Sequence, residues 1–201
     1  GADGTKLRTV HKIGSTTTTT DYCGNVIYEN GTQKLLLTEE GYINLAGTQQ
    51  YHYYLKDHQG NNRVVINRSG TMEETNHYYP FGGVFATAGN TQPYKYNGKE
   101  LDTKKGLNWY DYGARHYDTA LGRFMTNDRF AEKYYSMSPY QYGANSPVVN
   151  IDVNGDSIRI CTETQSFGHT WISVGEGSNM TVYSYGRYNG TNKGQIEALI
   201  L

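Results

Sequence analysis

The chain has 201 residues, enough for one domain or two small ones with a real core, and 18 Lys plus Arg stand against 19 Asp plus Glu. A formal net charge of −1 gives no electrostatic reason to expect nucleic acid or an anionic membrane as partner, and no apolar run approaches the length of a transmembrane helix. Twenty tyrosines against 5 phenylalanines and 2 tryptophans suit pleated, half-wet surfaces rather than a thick aliphatic core, so the fold class is mainly β.

In chain order, "GADGTKLRTV" lacks the apolar centre of a secretory signal, so no signal peptide is visible in this stretch. Residues 1–20, ending in "STTTTT", form an arm or a partial strand. "NVIYENGTQKLLLTEEGYI" predicts a hairpin turning at Asn30-Gly31, and "YHYYLKDHQGNNRVVINRSG" a second one turning at "DHQGNN". Pro80 and the paired glycines of "YYPFGGVF" suit an edge or a bend. Tyrosines recur two apart (Tyr51 and Tyr53, Tyr94 and Tyr96, Tyr110 and Tyr112, Tyr140 and Tyr142, Tyr183 and Tyr185). Positions i and i+2 of a strand share a face, which predicts aromatic platforms packed between stacked antiparallel hairpins. One short helix is expected near 128–137, capped by Asn127 or Asp128 and limited by Pro139. After residue 157, "HTWISVG" and "MTVYSYG" predict a hairpin turning at "GEGSN", and "GQIEALIL" the beginning of a helix. Cys23 and Cys161 make no disulfide framework, and both are expected unpaired.

The stretch "YNGKELDTKKGLNWYDYGARHYDTALGRFMTNDRFAEKYYSMSPYQYGANSPVVNIDVNG", residues 96–155, resembles the Rhs repeat-associated core, the segment that closes the Tyr-Asp-repeat region of Rhs and related polymorphic toxins. Its specific features are "GLNWYDYGARHYD", "LGRF", the Asp128 region followed by "SPYQYGANSP", and the closing "DVNG"; "DYCGNVIYENG" and "YLKDHQGNNRVV" upstream resemble the repeats themselves. The resemblance implies an Rhs β-strip with repeats and core at 21–156, closing one end of a hollow shell, and the beginning of a variable C-terminal toxin at 157–201. It implies as partners the rest of the shell, the C-terminal toxin, an immunity protein and secretion machinery, in a secreted or cell-surface-delivered effector used in bacterial competition. Open sheet edges also predict self-association.

In many Rhs proteins the core cuts itself just after a closing Asp-Pro motif, using two aspartates. Carried onto this chain, those positions are Asp128 and Asp152, with Arg123 of "LGRF" in support and Asp156–Ser157 as the bond at the boundary. Two close carboxylates suit hydrolysis because repulsion keeps one protonated while the other ionises. The chain departs from the pattern: Arg129 and Val153 stand where prolines belong, and Asp156 replaces the usual leucine. A structural seam is therefore the favoured reading, with Asp128 as a helix cap and Asp152 in an Asx turn. A calcium loop counted from Asp152 fails at Ser157, where the sharp turn needs glycine.

His169 of "GHTW" is a candidate toxin residue, since a histidine entering a strand resembles the entry to circularly permuted papain-like hydrolases; no cysteine follows it, and a strand-end role is favoured. His116 and Asp118 are too few ligands for a metal site. "FGGVFATAG" lacks the lysine and helix of a phosphate loop. Nothing in the sequence calls for a metal or a cofactor.

Overall fold

The structure is a computed structural model; it describes residues 1, 5–133 and 135–156, and beyond them the strands 158–160, 170–174, 181–185 and 197–200 as backbone. A nine-stranded sheet comes first: β1 (Arg8–Ile13), β2 (Thr16–Cys23), β3 (Val26–Glu29), β4 (Thr32–Leu37), β5 (Gly41–Asn44), β6 (Gln50–Lys56), β7 (Asn62–Asn67), β8 (Met72–Tyr78) and β9 (Val84–Ala88). Each strand pairs antiparallel with the next, in unbroken sequence order. The meander matches the predicted stack of hairpins. The turn at Asn30-Gly31 has both residues at positive φ (51° and 81°), the left-handed geometry of a two-residue hairpin turn whose twist suits the strands.

Within the first twenty residues lie β1 and the beginning of β2. β1 and β2 form a hairpin, Ile13 opposite Thr16, around a turn in which Gly14 takes φ +61°. Gly14 is the signal in the sequence for that turn, and the threonine run following it supplies the strand.

A four-stranded antiparallel sheet follows: β10 (Glu100–Asp102), β11 (Trp109–Asp111), β12 (His116–Asp118) and β13 (Arg123–Phe124). The pair β14 (Asn150–Asp152) and β15 (Ile158–Ile160) comes next, then a sheet of β16 (Thr170–Val174), β17 (Thr181–Tyr185) and β18 (Glu197–Ile200). β16 and β17 are the predicted hairpin. "EALI" is a strand rather than a helix: β18 pairs with β17 from Thr181 opposite Ile200 to Ser184 opposite Glu197. Partner strand and backbone ladder outweigh the helical preference of Glu, Ala and Leu.

The helix expected near 128–137 is reduced to a single 3-10 turn at Ala131–Lys133. Asp128 Oδ1 does accept from the Phe130 amide at 2.7 Å. Its own amide is drawn instead to the Pro139 carbonyl at 2.9 Å, folding the segment back as a loop.

Two apolar clusters hold the described residues. Ile27, Leu35, Tyr42 and Val65 fill one face of the large sheet, with Tyr22, Leu37 and Tyr54 against them. The second cluster is aromatic: Tyr78, Tyr96, Tyr110, Tyr112, Tyr117, Phe124 and Tyr142. Tyr142, fully buried, stacks on Tyr117 at 4.3 Å and meets Tyr112 edge-on at 5.7 Å. The platform expectation holds for Tyr110 and Tyr112, both buried. It fails for Tyr140 and Tyr142, one exposed and one buried, because the chain leaves strand geometry there and turns at Gly143–Asn145.

Burying tyrosines requires partners for their hydroxyls. Tyr112 and Tyr142 both donate to Asn97 Oδ1 at 2.6 Å, Tyr96 to the Pro80 carbonyl and Tyr117 to the Phe81 carbonyl, each at 2.9 Å. Asn97 is itself at φ +48°, a left-handed geometry that asparagine tolerates. Tyr142→Ala is expected to lower unfolding free energy by about 3–5 kcal/mol, by loss of a buried aromatic ring. Tyr142→Phe, which removes the hydrogen bonds to Asn97 Oδ1 and the Tyr112 hydroxyl while Tyr112 still reaches Asn97, should cost about 1–2 kcal/mol. Urea unfolding of the two variants, read by midpoint at constant slope, checks the order.

Candidate functional site: a carboxylate cluster on one buried arginine

The closing motif is a tight loop between β14 and β15, and it is gripped from one side by the loop between β11 and β12. Asp152 Oδ1 accepts from the Gly155 amide at 2.6 Å, forming an Asx-type turn. Gly155 takes φ +87°, and a Cβ there would lie 2.9 Å from the Arg115 amide nitrogen, so the close approach of two backbones requires glycine. Ala114 donates its amide to the Asn154 carbonyl at 3.0 Å, and Lys99 Nζ donates to the Val153 carbonyl at 2.5 Å.

Arg115 is the centre. Its guanidinium lies 3.8 Å over the Phe124 ring, its Nε donates to the Gly155 carbonyl, and its Nη1 donates to the Pro139 carbonyl at 3.1 Å. Its Nη2 stands 2.9 Å from Asp128 Oδ2 and 3.6 Å from Asp152 Oδ2. All three side chains are buried, at 3%, 8% and 1% exposure. Asp156, also buried, pairs with Arg129 at 2.6 Å and adds to the field that Arg115 feels.

The electrostatics separate the carboxylates. Burial pushes Asp152 up to about 6 against the pull of the Gly155 amide and Arg115, and the negative charge of Asp128 pushes in the same direction as burial. Burial also draws Arg115 down, opposed by Asp128, Asp152 and Asp156. A buried carboxylate poised near neutral pH beside a second one fixed on an arginine is an arrangement able to exchange a proton.

The structure thus brings Asp128 and Asp152 to one guanidinium nitrogen, with Asp156 close by. It does not bring Arg123 there. Arg123 is exposed, hydrogen-bonded to Ser138 Oγ at 3.3 Å, because its strand neighbour Phe124 faces the core and alternation turns Arg123 outward. The arginine of the cluster is Arg115, in "YDYGARHYD", where its position before a buried Tyr117 was the available signal. Ser157 and His169 lie outside the described residues, as do Cys161 and Glu163. Cys23 is exposed with a free thiol.

The nine-stranded meander followed by a tyrosine-cored four-stranded sheet is an Rhs-like fold. It is shared with the crystal structure of TcdB2-TccC3-Cdc42, at a TM-score of 0.65 and 21% identity over 78% of this chain and 9% of that one. It is shared likewise with a Photorhabdus luminescens Tc holotoxin pore, at 0.67 and 19% over 82% of this chain and 9% of that one. In sequence, the chain is 36% identical over 119 residues to salivary gland surface protein 1 of Aedes aegypti, covering 57% of this chain and 3% of that protein. It is 30% identical over 110 residues to YibJ of Escherichia coli K12, covering 53% of this chain and 46% of that protein. No family profile matches the chain.

Two outcomes follow from the cluster. Arg115→Ala leaves its carboxylates buried without their cation and should cost about 3–5 kcal/mol of stability, measured by denaturant unfolding. For Asp152 the folded-state value, about 6, lies above the ordinary 3.8. Its contribution to stability is therefore fully present below the ordinary value and is lost as pH rises through about 6. The stability difference between Asp152→Asn and the native chain should shift toward the variant as pH rises from about 4 to about 6, between the ordinary and folded-state values, and level off above, as read by paired thermal melts.

Proposed function

We propose that the chain is the C-terminal part of an Rhs-type toxin shell. Residues 21–156 supply wall and plug, and 157–201 begin the enclosed cargo. The observation that carries this reading is the way the large meander runs into the tyrosine-cored sheet, onto which the 152–156 loop is clamped by Arg115, Ala114 and Lys99. A plug needs such a joint, because the chain must leave the wall at a fixed point. The neighbours in fold support the assignment: one of them is TcdB2-TccC3 without its hypervariable C-terminal region, sharing the fold at a TM-score of 0.63. On this reading the parent protein is a secreted or surface-delivered effector in bacterial competition, with the rest of the shell, its toxin, an immunity protein and secretion machinery as partners.

The test is protection. In the purified parent protein, residues beyond 157 should resist a broad protease far longer than the same segment expressed alone. Equal digestion rates would overturn the shell reading.

A second reading is favoured by one observation, the sharing of Arg115 Nη2 by Asp128 and Asp152. The pair would act as a self-cleaving dyad, one carboxyl protonating the departing amine and the other activating water at the Asp156–Ser157 bond. Intact-mass measurement after incubation at pH 5–7 should show a product ending at Asp156, and Asp128→Asn should abolish it. An uncut chain, or a cut that survives Asp128→Asn, would sink the dyad while leaving the shell reading standing.

A further inference from the structure

Away from the seam, a lysine, an asparagine and a glutamate are buried together at the junction of the two sheets. Glu74 and Asn76 lie on β8, two residues apart and therefore on one face. Lys95 comes from the segment between β9 and β10 that crosses from the large sheet to the small one. Lys95 Nζ donates to Glu74 Oε1 at 2.5 Å, and Asn76 Nδ2 donates to the same oxygen at 2.7 Å. All three residues are nearly inaccessible, with 4% exposure for Lys95 and 1% each for Glu74 and Asn76. Thr87 Oγ1 donates to Asn76 Oδ1 at 3.0 Å, polarising the amide carbonyl.

From this placement we infer that Lys95 and Asn76 join in an intramolecular isopeptide bond, with Glu74 carrying the proton. An ammonium and a carboxylate held out of water each pay a desolvation penalty, which is removed when the lysine becomes a neutral amide and the carboxylate a protonated acid. One carboxylate oxygen that binds both amine and amide presents nucleophile and acyl group to each other without further loss of freedom. Burial draws the Lys95 ammonium down toward the neutral amine that attack requires. Burial acts to raise Glu74, but the hydrogen bonds from Asn76 and Lys95 hold it below the usual range, as the proton acceptor.

The step balances. Glu74 takes a proton from the Lys95 ammonium, and the freed amine lone pair forms a bond to Asn76 Cγ, with the developing charge on Oδ1 met by the Thr87 hydroxyl. Glu74 then returns the proton to Nδ2, the Cγ–Nδ2 bond breaks and ammonia leaves, and the second proton of the lysine nitrogen passes to Glu74, which ends as a neutral buried acid. No oxidant, metal or cofactor enters. The product ties β8 covalently to the crossing segment, locking the large sheet to the small one.

The purified chain is weighed intact under denaturing conditions, digested, and its branched peptides sequenced by tandem mass spectrometry. The expected result is a mass lower by one ammonia, with a branched peptide joining Asn76 and Lys95. Glu74→Gln, confirmed folded by circular dichroism, should keep its full sequence mass. A native chain at full sequence mass overturns the inference. So does an ammonia loss that maps elsewhere: to Gln92, whose Nε2 reaches Glu74 Oε1 at 3.2 Å, or to a succinimide at Asn30-Gly31 or Asn154-Gly155. A bond that persists in folded Glu74→Gln overturns the role of the glutamate. Should that variant not fold, the mapped native peptide decides alone.

Discussion

Burying tyrosine in place of leucine or phenylalanine imposes a constraint on every other part of the fold, because each ring carries a hydroxyl that must be satisfied away from water. For Tyr96 and Tyr117 the partners are backbone carbonyls of a turn, at Pro80 and Phe81, for Tyr78 the carbonyl of Asn62, and for Tyr112 and Tyr142 one side chain, Asn97. The rings therefore do more than fill volume. They fix where the turns preceding β9 lie relative to the small sheet, since Tyr96 and Tyr117 reach across to them. A core of pure hydrocarbon would permit sliding between sheets, whereas a directional hydrogen bond at each ring edge does not. Gly82 shows how tight the fit is: a Cβ at that residue would lie 2.5 Å from the Tyr96 ring.

Arg115 extends the same logic to charge. Stacked on Phe124 and bonded to two carbonyls, its guanidinium has little freedom left, so Asp128 and Asp152 must come to it. Buried charge is costly unless paired, and the planar fork of arginine pairs several groups at once. Arg115 thus ties its own loop to three other points of the chain: Asp128, Pro139 and the 152–156 turn. The arrangement that pins the 152–156 turn is also the one that shifts Asp152 toward neutrality. Mechanical and chemical readings of this cluster therefore share residues and are separated by whether a bond breaks.

Much of the architecture was legible because its causes are local. Asn30-Gly31 requires a left-handed turn, and alternating residues on either side require strands. The family resemblance covered the repeats and the core, and the fold agrees with it. What failed did so where a distant partner intervened. The 128–137 segment had a cap and helical residues, but Pro139 took the Asp128 amide and Arg115 its carboxylate. "EALI" has helical composition, yet a neighbouring strand was available. Arg123 was chosen for nearness in sequence to Asp128, and strand alternation sent it outward.

The sequence by itself determined the strand and turn periodicity and the stacking of hairpins in chain order, since each depends on spacing of a few residues. Only the tertiary structure decided which arginine meets the aspartates, which tyrosines are buried, and that Lys95 shares one oxygen with Asn76. The reason is range. A turn type is set by backbone sterics within four residues, whereas Arg115 meets Asp152, and Glu74 meets Lys95, only after two sheets have packed. Burial, which makes those charges matter, is a property of the packed assembly and of no single stretch.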